Sequence, residues 1–257
     1  MGQIRATWNK TIMEFLRQKT VLFWTIGWPI IWVLLGSFSF TSNIPNDIVG
    51  YTKGAISISM MVFALMTAGM ANLPGNIAQD RERGLLTKIM SMPVSPWRDF
   101  TGRLLALLAF SSLSAMLVIA VGFICGARFF FTEIEFGMSI AFILLIFLGS
   151  SGIGMLIGTF VKHVHGAIMS GVGLTVVSAA LSGVMTPYQY LPSVLQSFAR
   201  IYPISSANSS ITYLLVGEEF AGYNPLGASQ VAATVLVALL LFTLGLIAYS
   251  KLCWKKE

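Results

Sequence analysis

Six long apolar runs alternate with short polar stretches along the chain: 20–40, 54–79, 104–127, 138–161, 167–187 and 226–250 contain no Asp, Glu, Lys or Arg. Each is long enough to cross about 30 Å of hydrocarbon as a helix. None has the two-residue alternation of a barrel strand, and an open sheet would leave backbone groups unpaired in lipid. The pattern predicts an all-α integral membrane protein: six transmembrane helices in one domain, 1–257.

The polar stretches carry patterns of their own. In 1–19, Ile4, Trp8, Ile12, Phe15 and Leu16 share one helical face while Arg5, Lys10, Glu14 and Arg17 fall elsewhere, which predicts a helix lying in the membrane interface. The first apolar run is as long as a full span and follows this stretch, so it is read as a retained helix and not as a cleaved signal. Segment 80–103 holds the densest internal run of charge, interleaved with Leu85, Leu86, Ile89 and Met90 at helical spacing. A short amphipathic helix facing water is expected there. Segment 188–225 repeats Leu191, Val194, Leu195 and Phe198, then Ile211, Leu214 and Leu215, predicting two short apolar helices that re-enter the membrane from the far side.

Within the spans, Trp24, Trp28 and Trp32 form one stripe, with Pro29 expected to kink the helix. Met60, Met61, Met66 and Met70 give an adaptable apolar surface, followed by Asn72 and Asn76. Trp28, Trp32, Met66, Met70 and Asn72 are candidate lining of a substrate path, with helix packing as the competing reading. Small residues recur at four-residue spacing from Gly149 to Gly158 and from Gly166 to Gly183, which calls for close helix crossings.

Composition fits this picture: 56% hydrophobic and 10% charged, with a mean hydropathy of +0.79. Thirteen of the sixteen cations fall in the termini and the even-numbered connections, leaving Lys53, Arg128 and Arg200 on the opposite side. By the positive-inside bias both termini are cytoplasmic in a cell membrane, plasma or bacterial inner. The net charge of +6 is then accounted for by topology and anionic lipid, and no nucleic-acid partner is called for. Cys125 and Cys253 fall on opposite sides, so they form no disulfide framework.

Several chemistries lack their residues. The apolar runs have no acid or base for an ion relay, and there is no clustered carboxylate set for Mg²⁺. No phosphate loop occurs, and His163 with His165 makes a weak metal site. The chain is therefore expected to bind no cofactor or metal and to catalyse nothing itself. Uphill transport would draw its energy from a separate subunit, with 80–103 as the handle. A passive channel, scramblase or scaffold is the alternative.

The run Asp80-Arg81-Glu82-Arg83-Gly84-Leu85-Leu86, followed by Ile89, Met90 and Met92-Pro93-Val94, resembles the coupling-helix signature of type-2 ATP-binding-cassette exporter permeases. The interfacial helix, Pro29, and the Leu191-Pro192 to Tyr202-Pro203 segment are similar to the drug and polysaccharide exporter branch. Leu85 and Thr87 depart from the family pattern, which usually has Thr and often a second acid at these positions. The resemblance implies a permease paired with a second protomer, each docking a separate ATPase that holds ATP and Mg. It implies docking through Glu82, Arg83, Gly84, Leu86, Lys88 and Met90, and a hydrophobic or amphipathic cargo such as a drug, lipid or glycan.

Overall fold

A computed structural model describes residues 2–39, 41, 44–85, 88, 96–130 and 132–253. In chain order the helices are α1 (Gly2–Arg17), α2 (Lys19–Ser39), α3 (Asn46–Glu82), α4 (Pro96–Ile124), α5 (Glu133–Phe160), α6 (Val164–Leu181), α7 (Ser193–Ile201), α8 (Pro203–Leu215), the short α9 (Glu218–Ala221) and α10 (Ala228–Cys253). Six of them, α2 to α6 and α10, are long and apolar enough to cross a membrane, and no strand occurs among the described residues. α5 is the central post, packed against α10, α8 and α3, while α1 lies on α4. α1 and the last turns of α10 meet at one end of the bundle, here the terminal end; α7 to α9 occupy the other, the distal end.

The helices outrun the charge-free stretches that revealed them. α3 has 37 residues, about 55 Å at 1.5 Å per residue, well beyond the hydrocarbon thickness. It takes in Asp47 and Lys53 at one end and Asp80, Arg81 and Glu82 at the other. Lys53, expected in a connection, lies inside the helix and donates from Nζ to the carbonyl of Cys125 at 3.0 Å, just past the end of α4. A charge-free run ends at its first charge, whereas a helix continues wherever that charge finds a partner.

Prolines and polar residues shape the middle of the bundle. Pro29 and Pro74 each follow a wide π turn, Phe23–Gly27 in α2 and Ala68–Asn72 in α3. The N–H groups of Trp28 and Leu73 reach the carbonyls of Phe23 and Ala68, five residues back, so the ladder widens just before each ring enters it. Asn72 Nδ2 donates to Thr25 Oγ1 at 2.8 Å and ties the two π turns together. The expected close crossings are present here. A Cβ built on Gly154 would collide with the Gly69 carbonyl, and one on Gly171 with that of Met70, so α5 and α6 lie directly against the widened backbone of α3.

Both helices expected in 188–225 exist, but α8 has a different character from the apolar one predicted. Its first turns read Pro-Ile-Ser-Ser-Ala-Asn-Ser-Ser, and Ser205, Ser206, Asn208, Ser209, Ser210 and Thr212 are all buried. Ser210 bonds back to the Ser206 carbonyl at 2.9 Å, Ser206 pairs with Thr234 of α10 at 2.7 Å, and Ser205 donates to the Ser182 carbonyl. Small hydroxyls that satisfy themselves on nearby backbone can be buried at little cost, which a reading of apolar period alone overlooks.

Candidate functional site

The charged run after the α3 span is built as a hub. Asp80, Arg81, Glu82 and Arg83 are consecutive, so on a helix they point in four directions. Together they reach α1, α4, α5, α6 and α10 at the terminal end. Asp80 is completely buried; one carboxylate oxygen accepts from Arg103 of α4 and the other from Lys10 of α1. Arg81 donates from Nη2 to Cys253 Sγ of α10 at 2.8 Å and to the Thr159 carbonyl of α5 at 3.3 Å. Glu82 Oε1 accepts the backbone N–H of Val164 at 2.9 Å, putting a negative charge on the first turn of α6. Arg83 donates from Nη1 to Glu14 Oε1 of α1 at 3.2 Å.

Arg103 is the centre of the buried part, with a side chain only 1% exposed. Its Nε donates to Asp99 Oδ2 at 2.9 Å, one turn earlier on α4, and its Nη1 donates to Asn76 of α3. Asp99 also receives Thr7 Oγ1 at 3.1 Å and the Tyr249 hydroxyl of α10 at 3.3 Å. Asn76 in turn donates from Nδ2 to Glu14 Oε2 at 2.6 Å. Lys10, Arg83 and Arg103 therefore face Glu14, Asp80 and Asp99, three charges of each sign across α1, α3 and α4. A buried charge survives only with such partners. Burial pushes the Glu14 carboxyl above its ordinary value, assisted by Asp80 and opposed by Lys10, Arg83 and Arg103.

This arrangement corrects two expectations. Segment 80–103 was expected to present its charges to water, yet Asp80, Asp99 and Arg103 are buried. Lys10 and Glu14 were expected on the polar side of α1, away from the face of Ile12 and Phe15; both instead turn onto Asp80, Asn76 and Arg83, beside Thr7, Thr11 and Phe15, while Leu16 is exposed. Close approach of α1 to α4 is possible because Gly102 has no side chain to meet the Ile4 carbonyl and Thr7. Hydropathy ranks faces by their cost of leaving water, and cannot see a partner ninety residues away. The absent signal was partly recoverable: Lys10 with Glu14, and Asp99 with Arg103, are opposite charges at four-residue spacing.

Of the docking candidates, Glu82 and Arg83 are exposed at the terminal end while also bonded as above, and Lys88 is exposed. Gly84 adopts φ +65° as α3 ends, its N–H reaching the Arg81 carbonyl at 3.0 Å, with open space around its Cα. A left-handed glycine is the usual way to stop a helix and turn the chain. Leu86 and Met90 lie outside the described residues, as does most of the amphipathic helix expected around them. Among the candidate path residues, Met66 and Met70 are enclosed in the protomer's own core and Asn72 is bonded to Thr25. Trp24, Trp28 and Trp32 do form a stripe, with ring centroids 5.5 and 6.1 Å apart. Trp28 packs half-buried on the core, and Trp32 also lines a cavity at the distal end.

Comparison with known proteins accords with this geometry. Residues 2–216 match the family of ABC-2 type transporters. The chain is also 26% identical over 137 residues to proteins described as probable multidrug ABC transporter permease YbhR, from Escherichia coli strain K12 and from Escherichia coli O157:H7. That match covers 50% of this chain and 34% of the relatives' length. With a family match over most of its length and six helices able to span a bilayer, the chain belongs to the ABC-2 type transporter family and is a multi-pass membrane protein.

Proposed function

We propose that this chain is the membrane-spanning permease of an ATP-driven exporter, working beside a second permease protomer and powered by a separate ATPase. The observation that supports it most is the hub: the exposed turn at Glu82, Arg83 and Gly84 is continuous with side chains that hold α1, α4, α5, α6 and α10. A partner pushing on that turn would move the ends of all these helices together. In this reading the terminal end is cytoplasmic, α1 lies at the membrane surface, and α7 and α8 re-enter from outside.

The docking patch is proposed as Glu82, Arg83, Gly84, Leu86, Lys88 and Met90, charged and apolar residues around a glycine turn that admits close backbone approach. ATP and Mg would be held by the ATPase, and cargo would be a hydrophobic or amphipathic drug, lipid or glycan. Of the candidate path residues, Trp32 is retained and Trp28, Met66, Met70 and Asn72 are assigned to packing. Reconstitution of the chain with its co-expressed ATPase tests the proposal. Transport that requires ATP and the second subunit is expected; equal flux without nucleotide would instead make the chain a passive conduit.

A further inference from the structure

The distal end holds a cavity of about 580 Å³ within a single protomer, between α2, α3, the segment after α6, and α8 to α9. That size is typical of sites for drug-sized molecules. Trp32, Ile56, Met60, Val184 and Phe220 make its wall mainly apolar. Tyr188 adds a further aromatic ring, fixed because its hydroxyl accepts from Arg200 Nε at 2.7 Å and its ring packs on Tyr223 at 4.5 Å.

Two polar features give this wall a preference. Asn208 of α8 is only 5% exposed and lines the cavity, and its Oδ1 has no hydrogen-bond partner among the described residues. A buried acceptor without a donor is costly, and an N–H or O–H on an occupant would repair it. Glu219, itself exposed, is the one charged residue among the described residues of the lining, which include no Lys, Arg or His. A phosphate or carboxylate would enter with no cation to meet it, whereas an ammonium or a neutral molecule would not be opposed.

We propose that this cavity binds a neutral or monocationic aromatic amphiphile that carries a hydrogen-bond donor, with its rings on the Trp32 and Phe220 wall and its donor on Asn208 Oδ1. The site lies inside one protomer, so it is complete without a second copy. It rests on the exporter reading for its place in transport, at the outward-facing end of the path. Binding itself needs no ATPase, so the two readings fail separately.

The test uses the full chain in phosphatidylcholine nanodiscs, without ATPase or nucleotide, titrated with rhodamine 6G, a planar monocation with N–H donors, and followed by fluorescence anisotropy. Carboxyfluorescein is the anionic counterpart, and empty nanodiscs correct for partition into lipid. Saturable rhodamine 6G binding is expected, with carboxyfluorescein binding absent. Asn208→Leu should weaken rhodamine 6G about tenfold, the scale of one buried hydrogen bond. Ser59→Trp, which fills the cavity from α3, should abolish binding while the protein remains monodisperse and equally thermostable. If Ser59→Trp does not fold, Asn208→Leu decides alone. Rhodamine 6G affinity unchanged in the folded variants, no binding beyond that of empty nanodiscs, or carboxyfluorescein binding as tightly, would overturn the proposal.

Discussion

Asp80 and Arg103 close an ion pair between the end of α3 and the start of α4, with 1% or less of either side chain exposed. The second oxygen of Asp80 is taken by Lys10, so one carboxylate joins three helices. Such a pair is not valuable because charges attract; its two charges were costly to bury and each now depends on the other.

Removing one partner should therefore be severe. Arg103→Leu leaves Asp80 and Asp99 facing each other without their shared guanidinium and is expected to destabilise the protein by about 3–5 kcal/mol. Arg103→Lys should recover only part of this, because an ammonium on a flexible stem cannot span Asp99, Asn76 and Asp80 with a planar fork. Thermal unfolding in detergent, compared across wild type and both variants, checks the order. Equal stability of Leu and Lys variants would argue against the fork.

Glu14 gives the hub a pH dependence. Its folded-state value is raised by burial, with Lys10, Asp80, Arg83 and Arg103 as the charged groups around it. The folded protein thus keeps the Glu14 proton at a pH where the unfolded chain has lost it. Stability from this group is greatest below the ordinary carboxyl value, declines as pH rises through the window up to the raised value, and then levels off. Thermal unfolding of wild type minus that of Glu14→Gln, measured from about pH 4 to pH 7, should fall with rising pH; a difference that rises would contradict the assignment.

Glu82 holds the start of α6 and also belongs to the proposed docking patch, and one variant separates the two. Glu82→Ala should cost about 1 kcal/mol through loss of the carboxylate at the first turn of α6. Glu82→Gln keeps an acceptor for the Val164 N–H but removes the charge offered to a partner. The Gln variant should keep near-normal stability and lose affinity for the ATPase, read by co-purification at rising salt. Retained affinity in both variants would remove Glu82 from the docking patch.

The crossings over the α3 π turn are tight enough to predict from backbone alone. Gly154→Leu and Gly171→Leu place side chains where the Gly69 and Met70 carbonyls stand, and should abolish folded protein. Gly173→Leu, on the same helix as Gly171 but with open space around it, should be recovered in normal yield. Gel filtration of the three variants makes the comparison.

Much of this fold was legible in the sequence. Six apolar runs gave six spans because a bilayer demands long uncharged helices, and the Gly149 to Gly158 pattern correctly implied backbone contact. The site was legible only in part. Asp80 to Arg83 stood out as a charged island, but the direction of each side chain follows from helices that pack against it from distant parts of the chain. Lys10 and Glu14 read as a solvated face because nothing near them in sequence shows that Asp80, Asn76 and Arg83 wait opposite. The Ser-rich start of α8 does not read as a buried helix for a related reason: hydroxyls that bond their own backbone are polar in composition and nearly apolar in effect.

The most direct test of the hub as a transmission element is Lys10→Met in the chain reconstituted with the proposed ATPase partner. Lys10 lies on α1, outside the proposed docking patch, and joins that helix to Asp80. Cargo moved per ATP hydrolysed is the quantity to measure. ATPase docking and hydrolysis should persist while transport per ATP falls several-fold, since α1 no longer follows α3. An unchanged ratio in a stably folded variant would contradict the account.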